Sequence, residues 1–336
     1  MSRAKILIVT SRWDATAYVA AEVLRRSGRE SAFFYPDDIP QRAQLDAVFK
    51  QGKWSNVLHT EDGLIDLDKI KAVWWRKPLA SRPPDDLSRI EFLYSRRENS
   101  YALNGLWGLL AGNPDVYWMS DPQNIRKADN KMLQMARATA HGLTAPNTII
   151  TNNPEDVRGF YDRCSEKMVF KSMTGVLLPP DDIEVSTPSE VLPGIPLVRP
   201  FTGGDMDQVD SVRQSACMFQ ELVEKKHELR VTVFEDQVFT CQIDSQKNDL
   251  TRYDWRRQDF RPHATTGQLP DYIESACLAM LEEFGLHFGA FDFIVTPEGE
   301  HIFLEVNPNG QWVFIQEWVP ELRLMQGFVD VMTRNS

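Results

Sequence analysis

The segment Phe291–Asn307, FDFIVTPEGEHIFLEVN, constrains the fold most, because it has the pattern of an amphipathic β-hairpin. The loop Pro297–Glu300 joins two strands of alternating side chains, and this alternation predicts that Thr296 faces His301. The core face then carries Phe291, Phe293, Val295, Ile302, Leu304 and Val306. The other face carries Asp292, Ile294, Thr296, His301, Phe303, Glu305 and Asn307.

The second face of this hairpin has the pattern of a magnesium site. Asp292 lies directly across from Glu305, and Asn307 follows on the same side. Opposed carboxylates repel each other, and a hard cation removes that repulsion. Carboxylate and amide oxygens suit Mg²⁺, which shares its remaining sites with water and phosphate. The alternative is an ordinary hairpin with a solvated polar face, but the turn-rich exit Pro308–Trp312 favours the metal site.

Length, charge and cysteine spacing exclude several classes of protein. A chain of 336 residues is long enough for two or three domains. The formal net charge of −11 argues against a nucleic-acid partner, because affinity for phosphate backbones comes from Lys and Arg. No apolar run has transmembrane length and no leader pattern is present, so we expect no membrane partner. The four widely spaced cysteines are typical of free thiols, and we expect a cytoplasmic protein.

Apolar runs alternate with helix-period segments along the chain, which predicts an α/β (α+β) fold. The chain opens with a β-α-β unit in which Asp14 is expected to cap the helix Ala15–Arg26, and it lacks the GxGxxG pattern of dinucleotide-binding folds. We predict an N-terminal α/β domain over 1–120, a central subdomain over 121–215 and a C-terminal subdomain over 216–336 that contains the hairpin.

Two lysines have positions that suit phosphate binding. Lys131 lies within the predicted helical segment 121–140, and Lys171 ends a buried strand. The backbone amides of the loop Ser172–Gly175 that follows Lys171 can cover a phosphate. Taken singly, each residue is more simply explained as a surface lysine.

A second pattern suits the remainder of a nucleotide. The apolar strand Phe219–Val223 can offer its backbone to an adenine edge while its side chains enclose the ring. Glu228 and Arg230 share one face of the next strand. An arginine there can stabilise charge on a transferred phosphoryl group, although a cross-strand salt bridge is an equal alternative for this pair.

The joint order of these elements, from about residue 120 to 336, resembles the ATP-grasp superfamily with a preceding α/β domain. More narrowly, the chain resembles the microviridin-type ATP-grasp ligases that mature ribosomal peptides, the graspetide synthetases. The narrower resemblance is carried by Trp74–Pro78, Gln220–Val233, Tyr253–Arg256 and Glu305–Trp312. The chain departs from the family in the turn after Val233, which lacks glycine, and in the phosphate loop, which has only one.

The resemblance implies an ATP-grasp fold with an N-terminal pre-ATP-grasp domain, and ATP and Mg²⁺ as cofactors. Catalytic roles are implied for Lys171 and Arg230. The implied ATP-binding residues are Lys131, Lys171, Gln220, Glu221, Leu222, Val223, Glu228 and Arg230. The implied metal ligands are Asp292, Glu305 and Asn307.

The implied reaction uses ATP to activate Asp or Glu side chains of a ribosomal precursor peptide, which carries a leader segment, as acyl phosphates. Ser, Thr or Lys side chains then close macrolactone or macrolactam rings. Asp244 or Glu228 is a candidate base, and family analogy implies a homodimer. The residues expected to contact the peptide are Asp244, Tyr253, Asp254, Trp255 and Arg256. Two alternatives are a ligase that adds an amino acid to a protein or small carboxylate, and a non-catalytic ATP-binding regulator.

Overall fold

The computed structural model describes residues 5–173, 198–256, 261–334 and 336. The first elements are β1 (Ile6–Val9), α1 (Ala15–Arg26), β2 (Ser31–Phe34), β3 (Gln44–Lys50), β4 (Lys53–Thr60), β5 (Gly63–Asp66), β6 (Ala72–Trp75), α2 (Arg89–Ala111) and β7 (Tyr117–Trp118). They are followed by α3 (Pro122–Ala128), α4 (Lys131–Ala140), β8 (Thr148–Thr151), α5 (Pro154–Arg163), β9 (Met168–Lys171), β10 (Val198–Phe201), α6 (Gly203–Met206) and β11 (Cys217–Glu221). The last are β12 (His227–Phe234), β13 (Gln237–Ile243), β14 (Ala264–Thr266), α7 (Asp271–Phe284), β15 (Phe288–Val295), β16 (His301–Asn307), α8 (Val313–Trp318) and α9 (Leu324–Arg334).

A parallel sheet of order β2-β1-β6-β7 organises the first part of the chain, and β3, β4 and β5 form a separate antiparallel sheet that the sequence patterns did not predict. Helix α1 has the predicted bounds, but the expected cap is wrong. The Asp14 carboxylate makes no capping bond, because it accepts from Arg76 Nε at 3.0 Å and from Thr10 Oγ1 at 2.9 Å. The Asp14 carboxylate therefore bonds to these two side chains instead of to the N–H groups at the start of the helix.

Two antiparallel sheets form the remainder, with orders β10-β9-β11-β8 and β14-β13-β12-β15-β16. The helical segment predicted over 121–140 is divided into α3 and α4. Asn130 causes the break, because its side chain accepts from the Leu133 N–H and caps a new helix that begins at Lys131. None of the helices in the described ranges combines the length and the apolarity needed to cross a membrane.

The hairpin of β15 and β16 contains the predicted Asp292–Glu305 pair, but its register differs near the loop. Val295 pairs with His301, so the loop has one more residue than predicted. A bulge beside Asp292 restores the predicted register further along the strands. The two deviations cancel at the carboxylates.

The bulge changes which side chains of β16 face the core. Phe303, predicted on the polar face, is fully buried in the core beside Phe293. Leu304, predicted in the core, lines a cleft instead. Ile302 is buried as predicted, but it pairs with Ile294, which lines that cleft, rather than with a residue of the Phe291–Phe293 face.

The C-terminal helices pack against the N-terminal parallel sheet. Trp74 of β6 contacts Phe328 of α9, with ring centroids 4.6 Å apart, and both contact the fully buried Trp312. One hydrophobic cluster therefore joins the first and last parts of the chain. The division into domains at residues 120 and 215 stays a prediction.

Gln134 connects α4 to the strand that carries the acidic pair. This buried amide donates to Ala128 O at 2.7 Å and to Val306 O at 2.8 Å, and its oxygen accepts from the Val306 N–H at 3.0 Å. Val306 lies between Glu305 and Asn307, so Gln134 fixes the backbone of the predicted metal strand from behind.

We expect Gln134→Leu to lower the free energy of unfolding by about 2 kcal/mol, because it leaves buried backbone groups of Val306 unpaired. Urea denaturation measures the loss. The matched control is Gln41→Leu, which removes a solvent-exposed bond to Arg82 O and should change stability by less than about 0.5 kcal/mol. Equal losses in the two variants would contradict the role of Gln134.

Candidate active site

A cleft of about 930 Å³ is lined by residues of the β10-β9-β11-β8 sheet and of the β14-β13-β12-β15-β16 sheet. It brings together every predicted site residue except Asp244. The residues that line it are Lys131, Lys171, Gln220, Glu221, Leu222, Val223, Glu228, Arg230, Tyr253, Asp254, Trp255, Arg256, Asp292, Glu305 and Asn307. The sequence pattern therefore located one continuous surface from segments far apart in the chain.

Asp292, Glu305 and Asn307 form one polar platform at the base of the cleft. Asn307 Nδ2 donates to Asp292 Oδ2 at 3.1 Å and lies 3.4 Å from Glu305 Oε1. Asp292 Oδ1 is buried and accepts no hydrogen bond. The described ranges contain no cluster of three or more His, Cys, Asp or Glu side chains that could hold a metal, so a cation here would depend on the amide and on oxygens from outside the protein.

Two cations flank Glu305. Its Oε2 pairs with Lys131 Nζ, and its Oε1 accepts from Arg256 Nη1 at 2.9 Å. Burial opposes ionisation of Glu305, but Arg256 and Lys131 outweigh it and hold the pKa of this carboxyl well below its usual range. Glu305 is therefore ionised across the physiological pH range.

Asp292 differs because a single cation, Arg230, forms an ion pair with it, while Arg256 acts on it without such a contact. Arg230 Nη1 donates to Asp292 Oδ2 at 2.8 Å, and both side chains are buried. Burial raises the pKa of Asp292 above its ordinary value in spite of Arg230. The free oxygen and the raised pKa both indicate a carboxylate with less positive charge around it than its burial requires.

The turn after β16 holds Arg230 in place. Arg230 Nη2 donates to Gln311 O at 3.1 Å. A Cβ atom at Gly310 would lie 2.8 Å from Arg230 Nη2, so only glycine lets the turn approach the guanidinium this closely. The turn-rich exit noted in the sequence is therefore part of the site.

Lys171 ends β9 at the cleft wall, and Ser172 and Met173 follow it there. Burial lowers the pKa of Lys171 to about 8. Thr174 and Gly175 of the predicted phosphate loop lie outside the described residues.

Two backbone N–H groups at the end of β11 donate hydrogen bonds to other parts of the backbone. The Glu221 N–H bonds to Asn147 O at 2.9 Å, and the Leu222 N–H bonds to Lys167 O at 2.8 Å. The Glu221 carboxylate accepts from the Asn147 side chain at 2.7 Å. These bonds fix the path of the chain into Val223, which lines the cleft.

The residues predicted to contact a peptide have different environments. Arg256 bridges Asp254 and Glu305, and Tyr253 is partly exposed. Trp255 also lines the cleft, but only 4% of its surface is exposed, because it packs against α8 in the core. Arg257, next in the chain, lies outside the described residues.

Asp244 is not among the residues that line the cleft. Its carboxylate accepts from Lys247 Nζ at 2.6 Å and from His263 Nδ1 at 3.0 Å. These bonds join two residues that lie before and after Tyr253–Arg256 in the chain. Of the two candidate bases, the structure places only Glu228 in the cleft, where it pairs with Lys225 at 2.8 Å.

Sequence reasoning missed three cleft features. Arg76 is fully buried between Asp14 and the turn at Asn309, and Lys77 lines the cleft beside it. Both follow β6 at the carboxyl edge of a parallel sheet, a position where ligands commonly bind, and this was the signal available in the sequence. Lys225 was also missed, since nothing in the pattern distinguished it from a surface lysine.

Comparisons with known proteins find a similar family model and similar solved structures. The MvdD pre-ATP-grasp domain model matches residues 5–126. No curated protein matches the sequence. The macrocyclase MdnC of Microcystis aeruginosa MRC, solved with the precursor peptide MdnA, shares 27% identity with this chain, with a TM-score of 0.82 over 98% of this chain and 100% of its own.

Two further solved structures match along nearly the whole chain. An ATP-grasp ligase of Chryseobacterium gregarium, associated with ribosomally synthesised and post-translationally modified peptides, was solved with ADP and a leader and core peptide. It has 27% identity and a TM-score of 0.82, over 99% of this chain and 97% of its own. The macrocyclase MdnB of M. aeruginosa MRC has 27% identity and a TM-score of 0.77, over 97% and 98%.

These matches confirm the fold expected from the sequence, an ATP-grasp fold with a pre-ATP-grasp domain before it. They also confirm the narrower resemblance, because both macrocyclases and the peptide-associated ligase align from end to end. The chain is an ATP-grasp ligase that is similar along nearly its whole length to the macrocyclases MdnC and MdnB.

Proposed function

We propose that this protein consumes ATP to close macrolactone or macrolactam rings in a ribosomal precursor peptide that carries a leader segment. The observation that carries the proposal is the cation-lined cleft above Asp292, Glu305 and Asn307, in a chain that aligns end to end with a peptide-bound macrocyclase and a peptide-bound ATP-grasp ligase. The residue roles below belong to the same proposal.

The nucleotide would enter between the two antiparallel sheets. The N–H groups of Glu221 and Leu222 are already bonded, so the backbone at Val223 would read the adenine edge. Lys171 forms no ion pair among the described residues, although the charge of Glu305 acts on it, and it would bind a phosphate directly. Lys131 would move from Glu305 to a phosphate once another cation neutralises Glu305.

The residues of the platform fit a magnesium ion. Asp292 Oδ1 is a buried acceptor without a donor, Glu305 is ionised, and Asn307 adds an amide oxygen. Hard oxygen donors of this kind are what Mg²⁺ prefers. When bound, Mg²⁺ would neutralise phosphate charge and leave the protein to position the reactants.

The chain's own residues would act in two steps. An oxygen of the peptide carboxylate attacks the γ-phosphorus of ATP, the bond to the β–γ bridging oxygen breaks, and ADP leaves. A hydroxyl or amine then attacks the carbonyl carbon of the acyl phosphate, inorganic phosphate leaves, and Glu228 receives the proton. Arg230 and Lys171 would stabilise the charge that develops on the phosphoryl oxygens.

Water must be excluded because it would hydrolyse the acyl phosphate. Trp255, Phe314 and Trp318 form an aromatic wall on one side of the cleft, with Trp255 and Phe314 centroids 5.7 Å apart. This wall has few groups that can hold a water molecule near the reacting carbonyl.

The function is tested by incubating the protein with Mg–ATP and the precursor peptide encoded beside its gene. We expect ADP release and a loss of one water mass for each bond formed. A gain of one amino-acid residue would instead indicate the amino-acid-adding ligase. ATP binding without ADP release or mass change would indicate a non-catalytic regulator.

The pKa of Lys171 leads to a prediction about pH. With its pKa lowered to about 8, the free lysine loses its charge as pH rises through that value. A bound triphosphate favours the charged form, so ATP binding should take up protons near pH 8 and weaken at higher pH. Calorimetry in buffers of different ionisation enthalpy measures the uptake.

Two variants serve as controls for Lys171. Lys171→Arg keeps its charge and should bind ATP without proton uptake, because arginine stays protonated. Lys171→Met should bind ATP about tenfold or more weakly at pH 7 and also lack the uptake. Unchanged proton uptake in both variants would assign the titration to another group.

Asn307→Ala should remove the magnesium dependence of nucleotide binding, because it deletes the amide oxygen that would bind the ion. Calorimetry compares the Kd for ADP with and without Mg²⁺; the wild type should bind more tightly with the ion, and the variant should show a much smaller difference. Asn152→Ala, at an exposed position outside the cleft, is the matched control. A full magnesium effect in Asn307→Ala would remove Asn307 from the ligand set.

A further inference from the structure

Lys77 is a cation of the cleft wall that the proposed mechanism does not use. Its position is fixed by its neighbours. Arg76, directly before it, is fully buried and donates to Asp14 on one side and to Asn309 Oδ1 at 3.1 Å on the other. Pro78, directly after it, restricts the backbone further. The Lys77 side chain therefore starts from a rigid point.

The ammonium group of Lys77 lacks a carboxylate partner among the residues that the structure describes. The charge of the Asp14 carboxylate acts on Lys77, but Arg76 donates to both Asp14 oxygens, at 3.0 and 3.4 Å. The remaining charged neighbours of Lys77 are Arg76 and Arg230, both cations. Burial, Arg76 and Arg230 lower the pKa of Lys77, which agrees with an excess of positive charge at this point.

Arg230 keeps donors that could act together with Lys77. A guanidinium has five N–H donors. Arg230 directs one from Nη1 to Asp292 and one from Nη2 to Gln311 O, so each terminal nitrogen retains a second hydrogen. An oxyanion between Lys77 and Arg230 would receive charge-assisted hydrogen bonds from both.

This position differs from the one proposed for the ATP phosphates. The strongest charged neighbours of Lys171 are Glu305, Lys131, Arg256 and Lys225, and none of them is a charged neighbour of Lys77. Lys171 ends β9 of an antiparallel sheet, whereas Lys77 follows β6 of the N-terminal sheet, so the two lysines line the cleft from different sheets.

We infer that Lys77, together with Arg230, forms an oxyanion subsite that binds the peptide side-chain carboxylate before its phosphorylation. The inference rests on the proposed function and adds to it a residue of the N-terminal sheet. The subsite would select Asp and Glu over Asn and Gln, because a neutral amide cannot offset two facing cations.

The test measures how much a carboxylate contributes to peptide binding. The probes are the precursor peptide encoded beside the gene and a version with every core Asp and Glu changed to Asn and Gln. Their Kd values are measured with Mg–ADP present, so that no turnover is needed. The Kd for ATP is measured separately, and the proteins are wild type, Lys77→Met, Lys77→Arg and the exposed-lysine control Lys53→Met.

In the wild type and in Lys53→Met, the acidic peptide should bind about tenfold or more tightly than the amide version. Lys77→Met should reduce this ratio to near one with the Kd for ATP unchanged, and Lys77→Arg should restore most of it. A ratio that survives in Lys77→Met, or is already one in the wild type, overturns the subsite. A changed Kd for ATP with an unchanged ratio also overturns it and assigns Lys77 to a phosphate. Ring formation by the wild type is scored separately and tests the proposed function alone.

Discussion

Two carboxylates held side by side on neighbouring strands are the constraint on which the rest of the site depends. Asp292 and Glu305 are opposite each other by backbone pairing, so neither can withdraw from the other without loss of the sheet. Their mutual repulsion and their burial must be offset by positive charge. The structure supplies Lys131, Arg256 and Arg230, and still leaves one oxygen of Asp292 without a partner.

The unequal sharing of these cations has a chemical consequence. Glu305 forms ion pairs with two cations and is stably ionised, whereas Asp292 forms an ion pair with Arg230 alone and has a pKa raised by its burial. A divalent ion would complete the charge balance at Asp292 and release Lys131 for a phosphate. Without ligands, the side chains of Lys131, Arg256 and Arg230 provide the positive charge at this platform. Under the proposed function, binding of the nucleotide with its ion would release Lys131, so ligand binding and charge compensation would be one event.

Much of this site could be predicted from the sequence, because strand alternation fixes which side chains share a face. It located the Asp292–Glu305 pair even though the loop was one residue longer than expected. A bulge corrected the register before the carboxylates, and the alternation pattern does not reveal it because the extra residue, Leu304, and its neighbour Phe303 are both apolar. Alternation could not predict contacts between residues far apart in the chain. For example, the Asp14 carboxylate bonds to Arg76 instead of capping its helix.

The same limit explains why the environments of Trp255 and Asp244 could not be predicted from the sequence. An aromatic residue beside charged ones has the pattern of a binding loop, but whether it is exposed depends on partners far away in sequence. Here α8 covers the indole, and Trp255 contributes its buried bulk to the wall of the cleft. Asp244 is removed from the cleft by His263 and Lys247, which no local spacing could reveal.

The N-terminal sheet supports the site in a way that its topology explains. Its strand order changes direction between β1 and β6, and ligands of open α/β sheets commonly bind at the carboxyl edge of such a point. Here that crevice holds the Asp14–Arg76 pair, and Arg76 extends from it to the Asn309–Gly310 turn. This turn also fixes Arg230, whose Nη2 donates to Gln311 O. The edge that would bind a ligand in a free-standing sheet thus positions Arg230 of the neighbouring sheet, the arginine for which we propose a catalytic role.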